Sequence, residues 1–391
     1  MTRIFWLRWA AWGGVGLLSG CVEPYLPNVP AATQDYLVVN GFINSRGITT
    51  IQLTRSLQLS DTKAPTPETR ASVFIQANGG QRFALTESPA GSGTYTSASL
   101  TLNPGLTYQL RITTAGRDYA SDLEPAKLTP PIDGVRWQYE REGVQVYVSA
   151  HDDTQANTYY RWRYEQTWQS TSTYEAFFEY NPTLRQITRR TQDTYHCWRT
   201  SNPSTVIQTS TARLSQNVVK DFPLVFMPIE AEQLRFKYSI LVQQYAQSRA
   251  EYDYWEALKK NTESLGSIND PLPTQLTGNV HCLSNSDEPV LGFVGVHSVS
   301  QQRIFISRLD VPQLRNIISQ TGNDEATCFS IIDGFALGSY YDGPFSYTSI
   351  YLVYNYNLNA NGQPQGWLGA PARCVDCRLN GTNVKPSFWP Q

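Results

Sequence analysis

Short runs of alternating apolar and polar residues dominate the chain from residue 35 onward. Tyr36–Asn44, Ser72–Ala77 and Gly105–Ile112 are rich in β-branched and aromatic residues, which favour strands. The second run ends at Asn78–Gly80, a sequence that is typical of a hairpin turn. Strands at a spacing of roughly ten residues predict an immunoglobulin-like β-sandwich over residues 35–130.

A second β-rich region is predicted over residues 131–391. Two consecutive prolines within Thr129–Asp133 resist both helix and central strand, so this stretch indicates a linker. Beyond it, Tyr160–Glu165 alternates between aromatic and charged residues, which predicts a half-buried strand with a polar outer face. The chain is therefore expected to be mainly β, with an N-terminal sandwich followed by a larger β-rich domain.

One or two helices are expected to be inserted in the second region. Ser248 and Glu251 have the spacing of a capping box, and Gly266 follows as a stop signal, so a helix is predicted near 248–265. Its larger apolar residues recur at helical spacing as Tyr252, Trp255 and Leu258. A second helix is predicted near 311–321 from the same kind of start and stop signals.

The first 20 residues have the order of a bacterial lipoprotein signal. Two arginines precede a short apolar run, which ends at Leu18-Ser19-Gly20-Cys21. The run is too short to span a bilayer of about 30 Å, so it indicates a signal peptide that is cleaved from the mature protein. Cys21 is then the lipidated first residue of the mature chain, and the proline-containing residues 21–34 form a tether. The alternative is a plain signal peptide with a chance cysteine.

The net charge and the cysteine content limit the partners and the compartment that can be expected for this protein. Loss of Arg3 and Arg8 takes the formal net charge from −2 to −4, which argues against nucleic acid as a partner. Five cysteines remain after Cys21, and an exported protein permits disulfides. Because five is odd, at least one thiol is free or bridges elsewhere. We expect one disulfide that joins either Cys197 or Cys328 to one cysteine of the C-x-x-C pair, Cys374 or Cys377.

Candidate chemistry is sparse. No nucleophile elbow, P-loop, zinc-protease motif or dinucleotide fingerprint occurs, so we expect no catalytic site and no cofactor. Two His-Cys dipeptides at 196–197 and 281–282 suggest zinc, but neighbours in a strand point to opposite faces, so no metal site is predicted. The loop His151–Asp153 clusters an imidazole with carboxylates and is either a general-base site or a polar turn.

Two aromatic stretches with polar neighbours are candidates for contact with a ligand or a protein partner. The alternative is that the rings fill the β core. The candidate residues are Trp168, Tyr174, Phe177 and Phe178 in the first stretch, and Tyr340, Tyr341 and Phe345 in the second.

Several ordered motifs together resemble a family of Bacteroidota lipoproteins known only as domain of unknown function 4249. The motifs extend over nearly the whole mature chain: Tyr36–Ile43, Thr129–Asp133, Tyr252–Leu258, Gly278–Cys282, Val290–Phe293, Arg303–Ile306, Cys374–Arg378 and Lys385–Trp389. The resemblance implies an outer-membrane lipoprotein working beside a TonB-dependent receptor. It implies no catalytic residue, and the single acidic residue Glu23 near Cys21 leaves the leaflet open, periplasmic or surface.

Three classes of function follow from these observations. The first is a lipid-anchored accessory or binding protein at the outer membrane, with a TonB-dependent receptor as its partner and an unknown substrate. The second is a surface hydrolase, for which His151, Asp152 and Asp153 are the residues to test. The third is a structural or adhesive protein of the envelope.

Overall fold

The computed structural model describes residues 35–57, 63–181, 186–263, 276, 278–314, 330–332, 355–358, 364–369 and 372–390. Several predictions fall outside this part of the chain: the signal peptide 1–20, the tether 21–34, Cys21, Cys328, Tyr340, Tyr341 and Phe345. Within the described residues the fold is mainly β, which confirms the predicted class.

The strands before helix α1 lie in two groups on either side of the predicted linker. Before it are β1 (Leu37–Asn44), β2 (Arg46–Arg55), β3 (Ser72–Ala77), β4 (Arg82–Glu87), β5 (Thr94–Thr101), β6 (Thr107–Thr114), β7 (Arg117–Ser121) and β8 (Glu124–Pro125). After it are β9 (Ile132–Glu140), β10 (Gly143–His151), β11 (Tyr159–Thr171), β12 (Phe178–Asn181), β13 (Gln186–Arg189), β14 (His196–Ser201), β15 (Ile207–Ser210), β16 (Val218–Pro228) and β17 (Lys237–Ala246).

The remaining elements begin with helix α1 (Arg249–Glu263). They continue with β18 (Val280–Cys282), β19 (Val296–His297), β20 (Val299–Ser307), β21 (Ser330–Ile332), β22 (Asn355–Leu358), β23 (Pro364–Gly369) and the short helix α2 (Ala372–Val375). Single 3₁₀ turns occur at Glu232–Leu234, Arg308–Asp310, Pro312–Leu314 and Cys377–Leu379. No helix in the described part of the chain is long and apolar enough to cross a bilayer.

The N-terminal unit, which we define as residues 35–127 with residues 278–298, is built around one curled sheet. Its strands follow the order β18-β7-β6-β3-β4-β5-β2-β1-β19. Both edges come from the late segment 278–298, because β18 pairs antiparallel with β7 and β19 pairs parallel with β1. Val280, Val290 and Val294 of this segment lie in the core of the unit. The unit is therefore assembled from two parts of the chain, one of which the sequence assigned to the second region.

The C-terminal unit, residues 132–263 with residues 299–314 and 372–390, is a second sandwich. The sheet β16-β10-β9 packs on the sheet β14-β11-β17-β20, and Val146, Trp162 and Ile240 are fully buried between them. Tyr160 and Trp162 lie on the inner face of β11, as the alternation predicts.

Helix α1 begins where the capping pattern predicts, because the Oγ of Ser248 accepts a hydrogen bond of 3.1 Å from the backbone N–H of Glu251. The buried side chain of the helix is Glu251, whereas Tyr252, Trp255 and Leu258 are half-buried. Of the helix predicted near 311–321, the described residues contain the single turn Pro312–Leu314.

A disulfide joins Cys197 on β14 to Cys377, with 5.8 Å between their Cα atoms. This pair is one of those that the sequence left open. Cys374 is disulfide-bonded as well, and Cys282 is a free, buried thiol in the core of the N-terminal unit. Beyond Cys377 the chain lies along β14, where Thr382 exchanges two backbone hydrogen bonds with Trp198.

Candidate functional site

A groove of about 530 Å³ lies where the outer faces of the two units meet. We call it the waist groove. Strands β1 and β2 form one wall, and strands β11, β17 and β20 form the other. Its lining consists of Asn40, Gly41, Phe42, Asn44, Arg46, Thr50, Gln52, Arg163, Gln243, Tyr245, Val299 and Gln301.

The wall from the N-terminal unit follows from the pairing of β1 with β2. Asn40 lies opposite Gln52, and Phe42 lies opposite Thr50. Because alternate residues of a strand share a face, these four side chains project from the outer surface of the sheet. The core residues Val39 and Ile43 of β1 project from the opposite face. The result is a polar wall with one aromatic ring.

The wall from the C-terminal unit is a row of residues across three strands. Arg163 on β11 lies opposite Gln243 on β17, which in turn lies opposite Gln301 on β20. In the next row, Tyr245 lies opposite Val299. Neighbouring strands are about 4.8 Å apart, so the guanidinium and the two amides form a continuous polar ladder.

Aromatic rings close the floor of the groove. The ring of Phe42 lies 5.3 Å from that of Tyr245 and stacks on the imidazole of His297 at 4.4 Å. Gly41, beside Phe42, has a φ of +137°. An added Cβ there would overlap the carbonyl oxygen of Thr50, so glycine permits the close approach of β1 and β2 at the floor.

Most of the polar groups in the groove are free to bind a ligand. The side-chain amides of Asn40, Gln52 and Gln301 make no hydrogen bond with any described residue, and neither Arg46 nor Arg163 forms an ion pair within that part of the chain. The groove therefore presents unused donors and positive charge.

Two groups in the lining are already engaged. The hydroxyl of Tyr245 donates to Oε1 of Gln243 at 3.1 Å, and Oδ1 of Asn44 accepts from the backbone N–H of Arg46 at 3.0 Å. Burial raises the pKa of the Tyr245 hydroxyl, although the nearby guanidinium groups of Arg163 and Arg161 oppose this shift. Tyr245 is therefore a neutral hydrogen-bond donor near neutral pH.

A cluster of buried charged residues lies beneath the floor. Glu251 of α1 is 3% exposed and His297 of β19 is 1% exposed, and Oε1 of Glu251 lies 3.5 Å from Nε2 of His297. Arg161 of β11 is also buried, with its guanidinium 3.9 Å from the ring centre of Trp255. An added Cβ at Gly295 would overlap the Glu251 carboxylate, so glycine leaves room for it.

The cluster keeps Glu251 ionised. Burial would raise the pKa of its carboxyl, but the contact with His297 and the charge of Arg161 outweigh burial, so the pKa is lowered. Burial lowers the pKa of Arg161, against the opposing charge of Glu251. The polar outer face predicted for Tyr160–Glu165 is wrong at Arg161, because α1 covers that end of the strand.

The predicted loop His151–Asp153 lines a second cavity, of about 590 Å³, next to the proline-rich linker. Nδ1 of His151 lies 2.7 Å from Oδ1 of Asp133, and Nε2 lies 3.5 Å from Oδ2 of Asp153. The hydrogen bond to Asp133, followed by the charge of the same carboxylate, raises the pKa of His151. We call this cavity the linker crevice.

Asp152 holds the turn of this loop. It is buried and accepts hydrogen bonds from the backbone N–H groups of Thr154 and Asn157, both at 2.9 Å, and from the Thr154 hydroxyl at 2.5 Å. Burial acts to raise its pKa, but these hydrogen bonds lower it overall. The Thr154 hydroxyl is thus committed to Asp152, and the Thr129 hydroxyl donates to Ser298 O at 2.5 Å. Neither hydroxyl is poised as a nucleophile for His151.

The predicted ligand-contacting aromatic residues that the structure describes line neither the waist groove nor the linker crevice. Trp168 lies in the core of the C-terminal unit, and Tyr174 is half-buried beside α2, where its backbone N–H donates to the carbonyl of Cys374 at 2.9 Å. Phe178 is half-buried and Phe177 is 45% exposed. Trp168 therefore follows the alternative interpretation, that of a core ring. No cluster of metal-ligating side chains occurs among the described residues.

The sequence did not point to the waist groove. Its residues come from five separate strands and form no local motif. Alternation marks them as outer-face positions, but nothing in the sequence indicates that these two outer faces meet.

Comparisons with known proteins identify a family but no activity. The model of the family described as Domain of unknown function (DUF4249) matches residues 22–303. No curated protein matches the chain. Similar solved structures include a segment of two fibronectin type-III domains from chicken tenascin, at 10% identity, 70% coverage of this chain, 99% of that chain and a TM-score of 0.17.

A second similar structure is a protein of Bacteroides uniformis to which carbohydrate binding is attributed. It is 9% identical, with 55% of this chain and 91% of that chain covered, at a TM-score of 0.16. Similarity at this level carries no argument about ligands.

Proposed function

The chain belongs to the DUF4249 family, and we propose that it is a lipid-anchored binding protein of the bacterial outer membrane. In this proposal the waist groove captures a ligand for a TonB-dependent receptor, and the lipid on Cys21 holds the protein beside that receptor. The observation that carries the binding role is the set of unpaired donors facing into the groove from both units.

The envelope location is supported by the sequence around Cys21. The run Leu18-Ser19-Gly20-Cys21 follows a short apolar stretch, as in lipoprotein signals. The disulfide between Cys197 and Cys377 suits an oxidising compartment outside the cytoplasm.

A binding role is favoured over catalysis by the state of the groups in the linker crevice. Asp152 is saturated by hydrogen bonds from its own loop, so it cannot serve as a free general base. A hydrolase remains a second candidate because His151 lies between Asp133 and Asp153 in a real cavity. A structural or adhesive role has no specific observation in its favour.

The partner is tested by purification from the native membrane. An affinity-tagged full-length chain is extracted in mild detergent after cross-linking, and co-purifying proteins are identified by mass spectrometry. We expect a TonB-dependent receptor to co-purify in stoichiometric amount. Recovery without such a receptor would refute the partnership.

The anchor is tested separately by Cys21→Ser. The wild-type chain is expected to incorporate labelled palmitate and to sediment with the outer membrane, whereas the variant is expected to do neither. A variant that still incorporates the label would show that the lipid lies elsewhere. Hydrolysis is tested on glycan and ester libraries with wild-type protein and with His151→Ala; activity lost in this variant would favour the hydrolase.

A further inference from the structure

We infer that the waist groove binds a ligand bearing carboxylate groups, held between Arg46 of the N-terminal unit and Arg163 of the C-terminal unit. This inference rests on the proposed binding function and names the chemistry of its ligand. It follows from the charge of the lining, from the direction of its hydrogen-bonding groups and from its dimensions.

The charge of the groove is positive and unbalanced. The lining contains the two guanidinium groups of Arg46 and Arg163 and no carboxylate. Some arginines elsewhere in the described chain are balanced by acids; Arg55 pairs with Glu68, and Arg303, on the same sheet face as Arg163, pairs with Glu165 at 3.0 Å. A cationic ligand would find no counter-charge here, whereas a carboxylate can form paired hydrogen bonds with a guanidinium.

The side-chain amides of the C-terminal wall add hydrogen-bond donors to those of the Arg163 guanidinium. Oε1 of Gln243 accepts from the Tyr245 hydroxyl, so the NH₂ group of Gln243, a residue opposite Arg163 on the neighbouring strand, is left as an available donor. Gln301 is the next residue in the same row. Adjacent amide and guanidinium donors, at a strand spacing of about 4.8 Å, match a ligand with several acceptor oxygens.

The dimensions favour a short oligomer over a single small anion. A volume of about 530 Å³ lies within the usual range for sites that enclose drug-sized ligands. Because Arg46 and Arg163 lie on opposite walls, a ligand must carry at least two acidic groups, or one acid and further acceptors, to engage both. Both an acidic peptide and an acidic oligosaccharide meet this condition, and their shared chemistry is the carboxylate.

The test is calorimetric titration of the full lipidated chain in detergent. The probes are tri-glutamate and tri-galacturonate as the two sources of carboxylate, maltotriose as a neutral probe, tri-lysine as a cationic probe and tripolyphosphate as a non-carboxylate anion. We expect at least one carboxylate trimer to bind, and to bind more weakly at higher salt. The neutral and cationic trimers are expected to bind at least tenfold more weakly.

Three substitutions localise the binding. Arg46→Gln and Arg163→Gln each remove a charge-assisted donor pair and are expected to weaken binding about tenfold or more. Arg213→Gln removes the same charge from an exposed turn outside the groove and is expected to leave affinity unchanged. All three positions are on the surface, and unchanged thermal unfolding would show that the variants are folded.

The outcomes separate this inference from the proposed function. Maltotriose binding that is lost when groove amides are replaced, without binding of either acid, would overturn the carboxylate inference and leave a binding protein. Tripolyphosphate binding without carboxylate binding would overturn it as well, as would carboxylate binding that survives the double arginine variant. Failure of every probe to bind would also count against the inference, while receptor co-purification would still test the proposed function.

Discussion

Replacing Glu251 by glutamine is expected to destabilise the protein strongly although the two side chains have nearly the same shape. Glu251 is the anionic member of the buried cluster under the waist groove; it contacts His297, and its charge acts on the buried guanidinium of Arg161. The substitution removes the buried negative charge that offsets the burial of the Arg161 guanidinium. Removing one member of a buried ion pair typically costs about 3–5 kcal/mol for this reason.

Loss of the contact with His297, where Oε1 of Glu251 lies 3.5 Å from Nε2 of the imidazole, adds to this cost. New hydrogen bonds from the glutamine amide offset part of this loss. We therefore expect the free energy of unfolding to fall by about 3 kcal/mol or more.

Urea unfolding followed by tryptophan fluorescence measures the effect. Asp253→Asn on the same helix is the matched control, because Asp253 pairs with Arg249 at the surface, where the two side chains are 55% and 72% exposed. Surface pairs of this kind contribute little, so the control should unfold at the wild-type midpoint. Glu251→Gln at the wild-type midpoint would refute the role assigned to the buried carboxylate.

The pH dependence supplies a second check with a defined sign. The folded-state pKa of Glu251 is lowered from its usual 4.5, so the stabilising contribution of the carboxylate is present above pH 4.5 and is lost as the pH falls through the folded pKa. The difference between wild type and Glu251→Gln should therefore shrink in acid, where both side chains are neutral. A difference that stays constant from neutral pH into acid would contradict the assignment.

Three further predictions concern the disulfide and the linker crevice. Digestion without reductant should yield a peptide pair containing Cys197 and Cys377, and reduction should lower the unfolding midpoint because the bond closes a loop of 180 residues; separate peptides would disprove the bond. Asp133→Asn should lower the pKa of His151 in an NMR titration, since Asp133 is the main cause of its rise; an unchanged value would contradict the contact. Asp152→Ala should cost about 2 kcal/mol through lost hydrogen bonds in the loop, whereas wild-type stability would show that the turn holds without them.

Local sequence signals were sufficient for several strands and for the start of the main helix. Alternation in Tyr160–Glu165 predicted the buried faces of Tyr160 and Trp162, and Ser248 marked the start of α1. Such signals work because side-chain direction in a strand and capping at a helix end depend on residues close together in the chain.

The same signals failed at Arg161. A period of two indicates which residues share a face, and charge normally means that the face is exposed to solvent. Here α1 crosses the sheet and brings Trp255 onto the guanidinium and the charge of Glu251 into its surroundings. The burial of Arg161 depends on contact with a helix about ninety positions further along the chain, and a local sequence pattern cannot predict such a contact.

By itself, the sequence determined the class of the fold, the membership of the DUF4249 family and the alternation that places amides and arginines on outer faces. Only the tertiary structure decided that residues 278–298 complete the N-terminal sheet at both edges and that two polar outer faces meet in a groove. Strand pairing is made by backbone N–H and C=O groups, which are nearly the same at every residue. These groups therefore do not specify which strands pair, and the packing of the whole molecule decides it.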